Sequence, residues 1–200
     1  MFLRNPFKRS LLLVIGSAFL LAGPARSETY EIDPVHSSVT FSIRHLVSRT
    51  TGSFNDFSGS IQYDPKVPDK TKVEAIIQVA SIDTKNERRD GHLKSADFFE
   101  AEKYPTITFK STKVEKKGDA LLITGDFTMH GTTKRIVLPV EVLGLGVHPR
   151  NNAPIAGFAS QLVLKRSDYG VNSWTDMAGV LGDEVKVELT IEAIGKAPKK

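Results

Sequence analysis

The chain has 200 residues, of which 25% are charged, and it contains 11 Phe, one Trp and no Cys. Without cysteine there is no disulfide, no thiol catalysis and no Cys-ligated metal. The formal charge of +4 comes from 27 Lys+Arg against 23 Asp+Glu, and four of the basic residues (Arg4, Lys8, Arg9 and Arg26) fall in the first 27 positions, so the rest is balanced and the basic pI is no argument for nucleic acid or an anionic surface.

Those first positions read as an export signal. Arg4, Lys8 and Arg9 form a positive start, Leu11 to Leu21 an apolar core, and Ala25-Arg26-Ser27 offers the small residues a signal peptidase reads. The apolar run is shorter than the roughly 20 residues of a spanning helix. Residues 1–27 are therefore expected to be a cleaved signal peptide, with an uncleaved anchor as the alternative. Residues 28–195 are then one domain and 196–200 a flexible basic tail, which places the mature protein in the periplasm.

Strand patterns follow. Val39, Phe41 and Ile43 alternate with Ser38, Thr40 and Ser42. Phe54 and Phe57 break the alternation between Gly52 and Gly59, which predicts a bulge or sharp bend. Val73 to Ile82 is apolar on one face and partly so on the other, including Ile77 and Val79.

The stretch from Ser81 to Phe109 reads instead as helix and turn. Thr84 and Glu87 have capping-box spacing, Gly91 weakens any long helix, and Ser95 or Asp97 can cap a second turn before Phe98 and Phe99. Tyr104-Pro105 ends the segment, and alternation resumes at Ile107 and Phe109. A short helical segment is thus expected near residues 84–102.

Further strands follow at Leu121 to Phe127, Ile136 to Val147, Phe158 to Leu164 and Val185 to Ile191. Gly144-x-Gly146 lacks the rest of a dinucleotide fingerprint and is expected to be a turn. Many short strands and almost no helix predict an all-β sandwich or barrel. Strands apolar on both faces fit either central core strands or the wall of a ligand-holding barrel.

Little in the chain reads as catalytic machinery. His36, His45, His92, His130 and His148 show no common zinc-site spacing, and His36 is expected to bond Asp33 at a strand start. Ser37 and Ser58 lie in strand-like sequence rather than in a nucleophile elbow. Asp90 and His92, two apart on a helix, diverge. The cluster of Arg88, Arg89, Asp90, His92 and Lys94 is either a solvated cap, with Arg89 paired to a local carboxylate, or the clamp for a polar head group. Arg44 and His45 are a second candidate for the same mouth.

Several motifs together carry a resemblance. The string from Thr84 to Glu100 (TKNERRDGHLKSADFFE), then KYPTITF from Lys103, IDPVHSSVTFSIRHL from Ile32, GDFTMHGTTK from Gly125 and RSDYG from Arg166 resemble the YceI-like family of exported lipid-binding proteins. The resemblance implies an extended antiparallel lipocalin-like β-barrel of about eight strands. It also implies a polyisoprenoid, an isoprenoid quinone or a similar amphiphile as ligand, held without catalysis, cofactor or metal. Peripheral or transient membrane contact fits such a carrier, and nucleic acid does not.

The residues expected to face the ligand are Val39, Phe41, Ile43, Phe54, Phe57, Ile77, Val79, Phe109, Phe127 and Leu162, with Arg44, Arg89 and His92 at the mouth. Two rival readings remain: a hydrolase or isomerase acting on a lipid head group, with Asp and His converging near a pocket floor, and an accessory partner of a membrane redox protein, with a solid barrel.

Overall fold

The computed structural model describes residues 28–174, 176–177 and 179–197; the expected signal peptide and the end of the basic tail lie outside the described residues. The described strands are β1 (Glu28–Ile32), β2 (Ser38–His45), β3 (Ser48–Phe54), β4 (Phe57–Tyr63), β5 (Lys72–Gln78), β6 (Ile82–Asp83), β7 (Thr106–Lys117), β8 (Ala120–Met129), β9 (Thr132–Val147), β10 (Pro154–Lys165) and β11 (Leu181–Gly195). One α-helix, α1 (Glu87–Lys94), lies between β6 and β7. All pairings are antiparallel, and the order β1-β4-β5-β7-β8-β9-β10-β11 closes on itself through β1–β11.

The three remaining strands lengthen this eight-stranded barrel. β1 and β2 both pair with β11, Ile32 opposite Ala193 and Ser38 opposite Thr190, so they form one long stave interrupted at residues 33–37. β3 and β4 form a second, interrupted at Asn55 and Asp56, and β5 and β6 a third, interrupted by a 3₁₀ turn at Val79–Ser81. The breaks are stitched across, with Asp33 N donating to Glu192 O (2.9 Å), Gln78 N to Asp56 O (2.9 Å) and Asn55 N to Ser81 O (3.2 Å). A backbone hydrogen bond thus carries the wall past each break, while the interrupting residues Val35, His36, Asn55 and Asp56 face solvent. Phe54 and Phe57 lie on either side of the second break, at the sharp bend their spacing predicts.

Two sequence expectations change here. Val73 to Ile82 is not one straight strand, because the 3₁₀ turn ends the period-2 alternation at Val79. Gly144 and Gly146 are not a turn: both lie within β9, next to a register shift opposite Gly157 and Phe158.

The local chemistry of α1 also differs from a Thr84–Glu87 capping box. Asn86 is the N-cap, accepting from Arg89 N at 3.0 Å, a contribution of about 1 kcal/mol. The helix continues through Gly91 and ends at Ser95, whose hydroxyl then accepts from Asp97 N (3.3 Å) to hold the next turn. Apolar side chains from the barrel staves form two packed groups. One is around Tyr30, Ile61, Leu121, Ile123 and Phe158, and the other lies towards α1, around Val39, Phe54, Val79, Phe98 and Tyr169.

Candidate functional site

Between and along these groups runs a cavity of about 790 Å³, inside the usual range for sites that hold a small molecule. Alternation builds it. Inward positions on β2 (Val39, Phe41, Ile43), β8 (Leu121, Ile123, Phe127), β10 (Phe158, Leu162, Leu164) and β11 (Val185, Val187, Leu189, Ile191) all line it. Two glycines let aromatic rings lie flat against the wall. A Cβ on Gly52 would sit 2.4 Å from the Phe41 ring, and one on Gly125 would sit 2.4 Å from the Phe109 ring.

Most of the expected ligand-facing residues stand on this lining: Val39, Phe41, Ile43, Phe54, Phe57, Ile77, Phe109, Phe127 and Leu162, with Arg89 and His92 at the α1 end. Two do not. Val79, in the 3₁₀ turn, is rotated into the packed wall with 1% of its surface exposed. Arg44 follows the inward Ile43, so its side chain is directed outward, and its guanidinium donates to Leu46 O (3.2 Å) and Gly179 O (3.5 Å). Its neighbour His45 does reach the cavity.

The α1 end carries the polar groups. Arg89 is not paired to a carboxylate; its Nε donates to Thr84 Oγ1 and its Nη2 to Thr84 O, both at 2.7 Å. Asp90 accepts from the same hydroxyl at 2.5 Å, while His92 turns the other way to Asp97 Oδ2 at 2.8 Å. Asp90 and His92 thus diverge as expected. The His92 ring meets Phe98 and Trp174 edge-on, with centroids 5.1 Å and 5.7 Å apart, so the mouth is rimmed by aromatic faces as well as cations. Among the described residues no Asp or Glu lines the cavity, and its deep part is formed by Ile61, Leu121, Ile123, Val140 and Phe158. The Asp–His floor expected of a head-group hydrolase is not there, and neither is the solid interior of the redox-partner reading.

Sequence reasoning did not select Arg166 or Trp174. Arg166 opens a 3₁₀ turn (Arg166–Tyr169) that Gly170 closes at φ 78, a left-handed conformation natural to glycine. A register shift between Leu181 and Val185 frees backbone at the start of β11. Arg166 Nε donates there to Gly182 O (2.9 Å), and its Nη1 donates to Val171 O (2.8 Å) and Ser173 O (2.7 Å). Burial lowers the pKa of Arg166 from its usual value, and the nearby Asp183 only partly offsets this. Burial raises the Asp183 carboxyl, yet hydrogen bonds from the Ser167 hydroxyl and amide outweigh it, and the net shift is downward. RSDYG was visible as a motif, but nothing local says that its arginine turns inward.

At the first stave break, Asp33, His36 and Glu192 place ligand-type atoms within 4.8 Å of one another. His36 Nδ1 bonds Asp33 Oδ2 at 2.7 Å, and Ser37 exchanges hydrogen bonds with the Glu192 backbone. These contacts close the break, which is the structural role expected of His36.

Comparison with known proteins agrees with this geometry. The family model described as "YceI-like domain" matches residues 30–193. Protein YceI of Escherichia coli O157:H7 is 40% identical over 191 residues, covering 94% of this chain and 98% of that protein. A UPF0312 protein of Pseudomonas aeruginosa is 40% identical over 185 residues, covering 91% of this chain and 95% of its own length. Among solved structures, BcnA of Burkholderia cenocepacia superposes with a TM-score of 0.75 at 27% identity, covering 81% of this chain and 99% of that one. The Campylobacter jejuni YCEI protein gives 0.68 at 34% identity, covering 76% and 90%. A polyisoprenoid binding domain from Saccharophagus degradans shares the fold, with a TM-score of 0.63 at 17% identity over 84% of this chain and 98% of that one.

Proposed function

The chain belongs to the YceI-like family, and we propose that its barrel is a non-catalytic periplasmic carrier for a long-chain polyisoprenoid, an isoprenoid quinone or a related amphiphilic lipid. The observation that carries this reading is the apolar cavity of about 790 Å³ extending from α1 into the barrel. Each buried methylene contributes roughly 0.8 kcal/mol, so several isoprene units supply ample gross affinity without any special contact. A neighbour of the same fold, named for polyisoprenoid binding, is consistent with such an occupant.

Loading from a membrane fits the rim. At the β2–β3 tip Leu46 and Val47 are exposed, Val47 completely, and Trp174 and Met177 are exposed as well.

The test is mass spectrometry of lipid co-purifying with the exported protein, with N-terminal sequencing of the same sample. The expected result is a stoichiometric isoprenoid or similar amphiphile on a chain beginning at Glu28. A chain that keeps Met1, or a protein that neither co-purifies with nor takes up any long-chain lipid, would overturn the reading.

A further inference from the structure

We propose that the cavity selects an oxyanion head group, phosphate or carboxylate on a lipid chain, and that Arg166 rather than the α1 arginines is the group that binds it. Arg166 is 4% exposed and lines the cavity, as does Val171, whose carbonyl it binds. Its Nε and Nη1 are satisfied by three backbone carbonyls, but its buried Nη2 has no acceptor. Carbonyls are neutral, and the Asp183 carboxylate, hydrogen-bonded to Ser167, favours the charged guanidinium from a distance but makes no ion pair with it; Arg166 forms none among the described residues.

A buried guanidinium is costly unless paired, and a buried donor left unbonded adds its own desolvation cost. Everything that could neutralise it from within the cavity is absent: the charged lining residues are Arg88, Arg89 and Arg166, with no carboxylate among the described ones. Arg88 and Arg89 are exposed, where water and salt weaken their hold on an anion. Arg166 is the cation that an oxyanion meets in a dry setting, where a charge-assisted hydrogen bond is strongest.

The inference rests on the carrier reading and refines it by naming the head group. It is tested with mature protein, using Trp174, the only tryptophan, as the fluorescent reporter in the cavity wall. The probes are farnesyl phosphate, farnesol and inorganic phosphate. Wild type is expected to bind farnesyl phosphate at least about tenfold more tightly than farnesol, and inorganic phosphate is not expected to compete at similar concentration. Arg166→Gln should erase that preference, bringing the two lipids to equal affinity, Arg166→Lys should keep part of it, and the double variant Arg88→Gln/Arg89→Gln should keep nearly all of it.

Equal binding of the two lipids by wild type overturns the head-group proposal and leaves the carrier reading standing. Failure of both to bind overturns the carrier reading itself. If Arg166→Gln does not fold, the double variant still decides, because loss of the preference there assigns the anion to the rim instead. Competition by inorganic phosphate at similar concentration means that the anion is not carried by the lipid, and that also refutes the proposal.

Discussion

Replacing Val187 with Asn puts an amide of similar size on the cavity wall at a position with only apolar neighbours. Val187 pairs with Leu162 on one side and Phe41 on the other, and Val185 and Leu189 flank it on the same face of β11. In unloaded protein the new amide can be hydrated, so folding is little affected. When a lipid chain covers it, the amide loses water and finds no partner, at a cost of about 1–3 kcal/mol. That converts to a loss of roughly five- to 150-fold in affinity at 1.4 kcal/mol per decade. The neighbouring Lys186 is exposed, so Lys186→Asn supplies a control one residue away with the opposite direction. Farnesol titration followed by Trp174 fluorescence, with circular dichroism melts of both unloaded variants, measures each term. Equal losses for the two variants, or intact affinity in Val187→Asn, would refute the placement of the ligand against this wall.

Three other outcomes are expected. Gly52→Ala puts a methyl group against the Phe41 ring, with only side chains in its way, and displaces that ring in the cavity wall, so long isoprenoids should be lost before farnesol, as measured by competition between chain lengths. Val47→Asp should slow uptake from anionic vesicles several-fold without changing the equilibrium affinity for farnesol; an unchanged uptake rate would remove the β2–β3 tip from membrane contact. At the first stave break, the hydrogen bond to Asp33 raises the pKa of His36 above its ordinary 6.5, and the bond from His36 lowers that of Asp33 below its ordinary 3.8. The His36 contribution is full below pH 6.5 and is lost as pH rises through the raised value, while that of Asp33 is lost as pH falls through the lowered one. His36→Ala should therefore reduce Tm most in the window between, and a Tm difference that is flat across pH would contradict the pairing.

What could be read before folding follows the range over which each signal acts. Alternation at Val39, Phe41 and Ile43 placed a cavity wall correctly because period 2 is a property of the strand alone. The same rule excludes Arg44 from the lumen, since the neighbour of an inward residue points out; charge near a strand end suggested a mouth where geometry did not allow one. Val79 was misplaced because a 3₁₀ turn leaves no mark in an apolar run. Closure of the barrel was illegible for another reason. It depends on Tyr30 meeting Gly195, a pairing of the two ends of the domain that no local pattern encodes, and the resemblance to a known family supplied it instead. Arg166 needed both kinds of information, a motif to mark it and a tertiary break in β11 to turn it inward.

The broken staves explain how a barrel of eight strands comes to have room for a chain. A barrel of about this strand number is nearly filled by its own side chains, or holds one small ligand, so capacity must come from length more than from width. Three of the staves gain that length by continuing past an interruption, and Phe54, Phe57 and Ile77 line the cavity beside those interruptions. Area along such a tube gives affinity without selectivity, because one methylene more or less changes binding by only about 1–3 kcal/mol. Discrimination therefore has to come from groups whose energy depends on chemistry rather than area, and in this cavity those are concentrated at the α1 end. Chain length and head group are consequently separable by mutation: wall substitutions should change affinity whatever the head group, and substitution of Arg166 should reorder lipids by head group whatever the chain length.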